Sequence, residues 1–316
     1  MQDQLYFGDS APLRAALQLV EEFGPTPFPV VLLGPTGCGK TALARQIHER
    51  SRRKGELVEC SLAEVPDELR HTMLAGHARG AYTGAVESRP GLLEAAHGGT
   101  LLLDELHLAT PDLQGYLLQV FDRPYTMRLR ESTRRFVDVR FVFATHQDPD
   151  DLRRRGIWGA DFFFRIGCNY VRLPGLAARR DEILPLAERL LSRFLGLVGK
   201  PWVARFTPEV ELFLLQYGWP GNIRELAMVC QHVAARLQQD RPVQLSELPP
   251  EHIAAMNLAD TVEGAELRQD QVDAVLRDAH GNKSEAARRL QISRQSLLRL
   301  LSHRDQRSTR GFNCPV

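Results

Sequence analysis

The first 174 residues alternate between short apolar runs and segments whose apolar residues have helical spacing. The apolar runs are five to seven residues long and lie at 29–34, 57–61, 100–105 and 139–145. Segments with helical spacing lie at 41–53 and 113–122. Short buried strands separated by helices are typical of a parallel sheet covered on both faces. We therefore predict an α/β domain at residues 1–174.

The pattern changes after Leu173-Pro174, because no strand candidate occurs between Asp181 and about Leu245. Three amphipathic helices are predicted there, at 182–195, 208–217 and 223–237. We assign 175–245 to a helical lobe, 246–264 to a linker that contains Pro249-Pro250, and 265–316 to a helical C-terminal domain.

Composition sets limits on these domains. The chain has 316 residues, 43% of them hydrophobic, and a formal net charge of +1, so any affinity for nucleic acid must be local. No apolar run reaches the roughly 20 residues of a membrane span, and no signal pattern begins the sequence. The five cysteines are scattered and form no CxxC pair, which argues against a disulfide framework or a zinc site. We expect a cytoplasmic protein with no membrane partner.

A glycine-rich segment after the first predicted strand fits the phosphate-binding pattern G-x4-G-K-[ST]. Its residues are Gly34, Pro35, Thr36, Gly37, Cys38, Gly39, Lys40 and Thr41. Glycines let the backbone N–H groups face phosphate oxygens, and the following helix points its positive end at the same place. Lys40 would neutralise the β- and γ-phosphates and Thr41 would hold Mg²⁺. The sequence therefore predicts an ATP site.

The predicted strand at 100–105 ends in two acids. Asp104 is the candidate Mg²⁺ ligand, and Glu105 is the candidate group that polarises the attacking water. Core strands often end in acids, so the pair is weak evidence alone. Its position about 60 residues after the phosphate loop strengthens it.

The sequence GHARGAYTGA at 76–85 lies between these two motifs, and together they resemble the AAA+ activators of sigma-54 RNA polymerase (bacterial enhancer-binding proteins). The resemblance covers nearly the whole chain. In that family a GAFTGA loop contacts sigma-54, which implies the same contact for Gly80, Ala81, Tyr82, Thr83, Gly84 and Ala85. Tyr82 stands where the family usually has Phe.

The resemblance implies further site residues and an assembly. His146 occupies the sensor I position, Arg165 the second arginine-finger position, and Arg224 the sensor II position within YGWPGNIREL. It also implies an AAA+ P-loop sheet followed by a helical lid. The expected assembly is a homo-oligomeric ring, a hexamer, or a hetero-assembly, with Arg165 reaching across to the next subunit.

Three departures from the family affect hydrolysis more than nucleotide binding. The sensor I position usually carries Asn rather than His146, and the first finger position aligns with Gly159. An Asn that pairs with the catalytic Glu aligns with Glu59, whose carboxylate we expect to repel Glu105 or to share a proton with it. One of the arginines at 153–155 is a candidate replacement finger.

Positive charge is concentrated at the C-terminal end. Residues 280–310 contain eight Lys or Arg and two Asp or Glu. Three predicted helices there form a helix-turn-helix that resembles the Fis-type DNA-binding end of the same family. The residues expected to face the major groove or its phosphates are Lys283, Ser293, Arg294, Gln295, Ser296 and Arg299.

These observations predict an ATP-dependent sigma-54 activator that binds DNA upstream of a promoter and remodels the closed complex. Family-like sequence begins by about Phe7, so we expect control by a partner protein, by expression level or by hetero-assembly. Two alternatives stay open. One is a DNA-binding repressor or co-regulator with impaired hydrolysis, and the other is a chaperone-type ATPase with an idle helix-turn-helix.

Overall fold

The computed structural model describes residues 10–81, 86–166 and 169–254, together with the single residue Lys283. The chain divides into two compact units, Met1–Val243 and Gln244–Val316. The predicted α/β domain and helical lobe both belong to the first unit. Among the described helices, none has the length and apolar content needed to cross a bilayer.

A five-stranded parallel sheet forms the centre of the first unit, in the order β2-β5-β8-β1-β9. The strands are β1 (Val30–Leu33), β2 (Leu57–Ser61), β5 (Thr100–Asp104), β8 (Arg140–Thr145) and β9 (Tyr170–Arg172). The first four confirm the predicted strands. β1 and β8 are buried along their whole length, as expected for central strands covered on both faces.

Helices cover both faces of this sheet. They are α1 (Ala11–Phe23), α2 (Lys40–Ser51), α3 (Asp67–Ala75), α4 (Leu92–Ala95), α5 (Pro111–Asp122), α6 (Pro149–Arg154) and α7 (Ala160–Arg165). Successive β1 residues point to opposite faces. Val30 and Leu32 therefore belong to the core cluster shared with α1 and α2, whereas Val31 and Leu33 belong to the cluster that contains α5 and α7 residues.

Two short antiparallel ribbons project from the sheet layer. One pairs β3 (Gly76–His77) with β4 (Arg89–Pro90), and the other pairs β6 (Tyr125–Thr126) with β7 (Arg135–Phe136). The segment between β3 and β4 is the predicted sigma-54 loop, so the loop begins and ends on one ribbon.

The helical lobe contains α8 (Arg180–Leu197), α9 (Pro208–Gln216) and α10 (Asn222–Arg236), which confirms the three predicted helices within a few residues. Their inward faces supply a separate set of buried apolar side chains. These include Ile183, Leu191, Val210, Phe213, Leu226 and Val233.

The second unit begins at Gln244, two residues before the region predicted as a linker. Leu245–Glu247 form a 3-10 turn, and residues 250–254 are helical. Gln244 and Glu247 cap this turn reciprocally through side-chain and backbone hydrogen bonds. The described part of the predicted linker is therefore ordered rather than irregular, because this cap satisfies its backbone groups locally.

Candidate functional site

The glycine-rich loop joins the end of β1 to the start of α2, as the sequence predicts. Gly37 and Gly39 have φ angles of 76° and 110°, which L side chains rarely adopt. A Cβ on Gly37 would also collide with the Gly221 carbonyl oxygen. The loop therefore needs glycine here for its backbone shape and for the close approach of the helical lobe.

Lys40 lies at the start of α2 with 6% of its surface exposed. Its Nζ donates hydrogen bonds to the carbonyl oxygens of Gly34 at 2.9 Å and Pro35 at 3.3 Å. These contacts hold the ammonium group against the loop, beside the positive end of α2. A buried cation with backbone N–H groups around it fits the phosphates of a nucleotide.

Asp104 and Glu105 end β5 at the carboxyl edge of the same sheet. The Glu105 N–H donates to Asp104 Oδ1 at 2.8 Å, and the Glu105 backbone is left-handed with φ of 56°. This conformation costs a residue other than glycine about 1–2 kcal/mol. Asp104 and Thr41 offer the oxygen ligands that Mg²⁺ prefers, so this pair fits that ion.

His146 follows β8, the strand between β5 and β1, and contacts Glu105 directly. Its Nδ1 lies 2.9 Å from Glu105 Oε2. The carbonyl oxygen of the preceding residue, Thr145, accepts from the Gly34 N–H at 3.3 Å. The structure thus brings the phosphate loop, Glu105 and His146 together, as the sequence predicts for a sensor residue.

His107 is a member of this group that the sequence analysis missed. Its Nδ1 lies 3.2 Å from the same Glu105 oxygen, and its ring packs edge-on against that of His146 at 4.6 Å between centroids. Burial lowers the pKa of His107 from its usual value, and the Glu105 charge opposes that shift. The only sequence signal was its place two residues after Glu105.

Glu59, which the sequence analysis relates to Glu105, forms an ion pair with α2. Its carboxylate accepts from Arg45 Nε at 2.9 Å and from an Arg45 Nη at 3.3 Å. Hydrogen bonding to Glu59 raises the pKa of Arg45. The Glu59 carboxylate is therefore paired with the α2 guanidinium, and its expected effect on Glu105 stays a prediction.

The N-terminus of α10 touches the phosphate loop from the helical lobe. The Ile223 N–H donates to the Gly37 carbonyl oxygen at 2.9 Å. Arg224 is exposed, and its Cβ would lie 3.0 Å from a Cβ added to Gly37. The predicted sensor II arginine is therefore next to the loop.

Asn222 fixes this contact and was also missed. Its Nδ2 donates to the Thr36 carbonyl oxygen at 2.9 Å, and its Oδ1 accepts from the Leu176 N–H at 2.7 Å. The residue is 4% exposed and has a φ of 53°, a left-handed conformation that Asn tolerates well. One buried side chain thus joins the phosphate loop to the segment that leads into α8.

We predict that Asn222→Ala destabilises the first unit by about 2–4 kcal/mol, since it leaves the buried Leu176 N–H unpaired, removes the hydrogen bond to Thr36 and places Ala at positive φ. Urea unfolding measures the change. Asn222→Gly is the matched control, because it loses the same hydrogen bonds without the backbone penalty and should retain about 1 kcal/mol more stability. An alanine variant as stable as the wild type would contradict the assignment.

Arg165 lies away from these residues, at the end of α7. It pairs with Asp122 at 2.8 Å and donates to the Phe121 carbonyl oxygen at 3.4 Å, and its side chain is 50% exposed. Gly159, at the first finger position, donates its N–H to the buried Gln114 side chain at 2.9 Å. Arg165 is therefore exposed at the C-terminal end of α5, whereas Gly159 lies near the start of that helix. The Arg165 guanidinium is available to a neighbouring molecule.

The base of the predicted sigma-54 loop is well defined. The Gly80 carbonyl oxygen accepts from Arg130 at 3.0 Å, and Ala81 is buried. Tyr82, Thr83, Gly84 and Ala85 lie outside the described residues. Of the predicted DNA-binding residues, Lys283 is helical and exposed, whereas Ser293, Arg294, Gln295, Ser296 and Arg299 lie outside the described residues.

Three family models match successive parts of the chain. The Sigma-54 interaction domain matches residues 6–172, the AAA+ ATPase lid domain matches 177–265, and the Bacterial regulatory protein, Fis family, matches 267–301.

Curated proteins are similar to the chain over most of its length. The chain is 33% identical over 305 residues to the phenol regulator MopR of Acinetobacter guillouiae, covering 92% of this chain and 54% of MopR. It is 35% identical over 303 residues to the transcriptional regulatory protein ZraR of Klebsiella oxytoca, covering 93% of this chain and 68% of ZraR. The chain thus spans about half of the first relative and about two thirds of the second.

A solved structure of NtrX from Brucella abortus in complex with ADP superposes with a TM-score of 0.73 at 28% identity, covering 95% of this chain and 70% of that one. The complex of NtrX with ATP superposes with a TM-score of 0.69 at 28% identity, covering 94% of this chain and 68% of that one. The domain matches, the sequence identity and the shared fold agree. The chain therefore belongs to the family of sigma-54-dependent transcriptional activators, with an AAA+ ATPase domain, its helical lid and a Fis-type DNA-binding helix-turn-helix.

Proposed function

We propose that this protein binds ATP with Mg²⁺, hydrolyses it, and uses the cycle to remodel the closed promoter complex of sigma-54 RNA polymerase. The observation that carries the proposal is the position of Glu105, which meets His146 beside the phosphate loop. The solved complexes of NtrX with ATP and with ADP support nucleotide binding by this chain.

Within one subunit, each residue has a separate task. Lys40 would neutralise the β- and γ-phosphates, and Thr41 and Asp104 would hold Mg²⁺, which would supply positive charge against the charge that develops on the phosphates. Glu105 orients and polarises the attacking water, while His146 holds the carboxylate through its 2.9 Å contact. Arg224 reaches the nucleotide from the lobe side. These groups give positioning and electrostatic stabilisation, which account for most of phosphoryl-transfer catalysis.

Arg165 acts in the neighbouring subunit of a ring, which we expect to be a hexamer. Its exposed guanidinium is held by a single carboxylate, Asp122. Exposed ion pairs of this kind contribute little to stability, so Arg165 can exchange Asp122 for a nucleotide phosphate at low cost. A head-to-tail ring would repeat this contact at every interface.

Movement would reach sigma-54 through the Gly80–Ala85 loop. Arg128 joins α4 to the second ribbon through a paired contact with Glu94 at 2.7 and 2.8 Å, and Arg130 holds Gly80 from the same ribbon. The base of the loop is therefore connected to the second ribbon and, through that ribbon, to α4, the helix that precedes β5. The C-terminal helix-turn-helix would bind upstream DNA and keep this machinery near the promoter.

One observation favours a second function, a co-regulator that binds nucleotide but hydrolyses it only in a hetero-assembly. At the first finger position Gly159 has no side chain, and its N–H is engaged by Gln114. A ring of identical subunits would then supply one arginine finger per site instead of two.

Steady-state ATPase measurements at rising protein concentration separate the two functions. We expect turnover per subunit to rise as the protein assembles, because Arg165 reaches a site only across an interface. Light scattering on the same samples reports ring formation. Turnover that stays at background after ring-sized particles form would contradict the proposal and favour the co-regulator.

A further inference from the structure

Two imidazole nitrogens converge on one carboxylate oxygen at the end of β5. Nδ1 of His146 and Nδ1 of His107 lie 2.9 and 3.2 Å from Glu105 Oε2. One ligand atom from each of the three residues lies within 4.8 Å of the other two. The proposed hydrolytic role of Glu105 needs only one such contact, so the second histidine is unexplained by it.

These separations are close to those of ligands around a tetrahedral metal ion. Two ligand atoms, each about 2.1 Å from such an ion, lie about 3.4 Å apart. The two observed nitrogen–oxygen distances therefore need to widen by only a few tenths of an ångström for an ion to enter. Two His and one Glu with an open fourth position is a ligand set that Zn²⁺ uses in catalytic sites.

The cluster also has the exposure that an ion site requires. The His107 side chain is 11% exposed and that of Glu105 is 19% exposed, so both are held by their surroundings. The His146 side chain is 40% exposed and leaves a path from solvent. Imidazole nitrogens favour Zn²⁺, Cu²⁺ and Ni²⁺, whereas Mg²⁺ requires oxygen ligands. Thr41 and Asp104 thus remain available to Mg²⁺.

We infer that Glu105, His107 and His146 form a binding site for a transition-metal dication, with Zn²⁺ as the best-fitting ion. Ligation through Oε2 places a dication on the Glu105 carboxylate, which lowers its basicity and its ability to polarise the attacking water. The ion therefore inhibits ATP hydrolysis and leaves binding through Lys40 intact. This inhibitory role rests on the proposed function, whereas the metal site itself does not.

The test uses tag-free, nucleotide-free full-length chain and Co²⁺, whose visible absorption reports tetrahedral ligation. We expect saturation at one Co²⁺ per chain, displacement by one equivalent of Zn²⁺ and no displacement by millimolar Mg²⁺. His107→Ala and His146→Ala should each weaken Co²⁺ binding by at least about tenfold. Far-ultraviolet circular dichroism and urea unfolding of both variants check their folding.

His97→Asn is the control, since His97 is exposed and bonds to the Asp138 N–H elsewhere in the domain; its cobalt spectrum should match the wild type. Absence of the spectrum in the wild type, or an unchanged spectrum in both alanine variants, would overturn the metal site. If Co²⁺ binds as expected but saturating Zn²⁺ leaves hydrolysis unchanged, the inhibitory role and the assigned function of Glu105 are wrong while the site stands.

Discussion

Replacing Glu105 by Gln is expected to lower ATP turnover by roughly 10²- to 10⁴-fold, because the amide cannot take a proton from the attacking water. ATP affinity should change by less than about threefold, since binding depends on Lys40 and the loop. Gln has the same shape, and its amide oxygen can still accept from His146. Single-turnover hydrolysis and equilibrium binding of an ATP analogue measure the two quantities separately.

Glu188→Gln is the matched control, since Glu188 is an exposed acid on α8. This variant should hydrolyse ATP at the wild-type rate.

The Glu105→Gln chain should accumulate with ATP bound and capture sigma-54. A second change in the same chain, Tyr82→Ala, should remove that capture. Adding Phe28→Ala instead, at an aromatic that is 60% exposed, should leave capture intact. Wild-type turnover in Glu105→Gln would show that another group activates the water.

Arg165→Ala is expected to reduce turnover of the assembled protein by about 10³-fold or more, the effect of losing an arginine finger. ATP binding by dilute subunits should be unaffected, because the hydrogen bond and ion pair of Arg165 among the described residues go to Phe121 and Asp122 and not to the phosphate loop. Arg205→Ala is the control, since Arg205 is also half exposed and pairs with one carboxylate, Asp240, at 2.9 Å. Turnover per subunit at saturating assembly is the measurement.

Mixing two inactive variants tests whether Arg165 acts across the interface. Lys40→Ala lacks a nucleotide site but keeps Arg165, and Arg165→Ala has the reverse defect. In a random equal mixture, about one interface in four joins an intact phosphate loop to an intact finger, so activity should reappear. A mixture as inactive as its components would contradict action in trans. Loss of turnover in Arg153→Ala instead would point to the replacement finger at 153–155.

The sheet and phosphate loop could be predicted because their signals are local. A glycine-rich turn between an apolar run and a helix fixes β1, Lys40 and Thr41 within a dozen residues. The acids that end β5 are similarly local. β9 was missed because only three residues, Tyr170–Arg172, pair with β1, and one of them is charged. Their pairing depends on a neighbour that is remote in sequence.

The missed site residues depend on contacts between distant segments. The Arg45–Glu59 pair joins α2 to β2, so a sequence comparison at Glu59 alone does not reveal the cation beside this carboxylate. Asn222 acts on Thr36, 186 residues away. His107 became significant only when β8 placed His146 beside the same carboxylate. The helix-turn-helix residues from Ser293 onward remain sequence predictions.

A buried chain of contacts also leads from the phosphate loop to the start of the described chain. Arg179, 2% exposed, donates to the Cys38 carbonyl oxygen at 3.0 Å and pairs with the equally buried Glu182 at 3.4 Å. Glu182 in turn accepts from Ser10, just ahead of α1. Tension applied at Ser10 would therefore be transmitted through two side chains to the loop backbone. We therefore expect a displacement of Ser10 to alter the geometry of the phosphate loop, and with it the affinity for nucleotide.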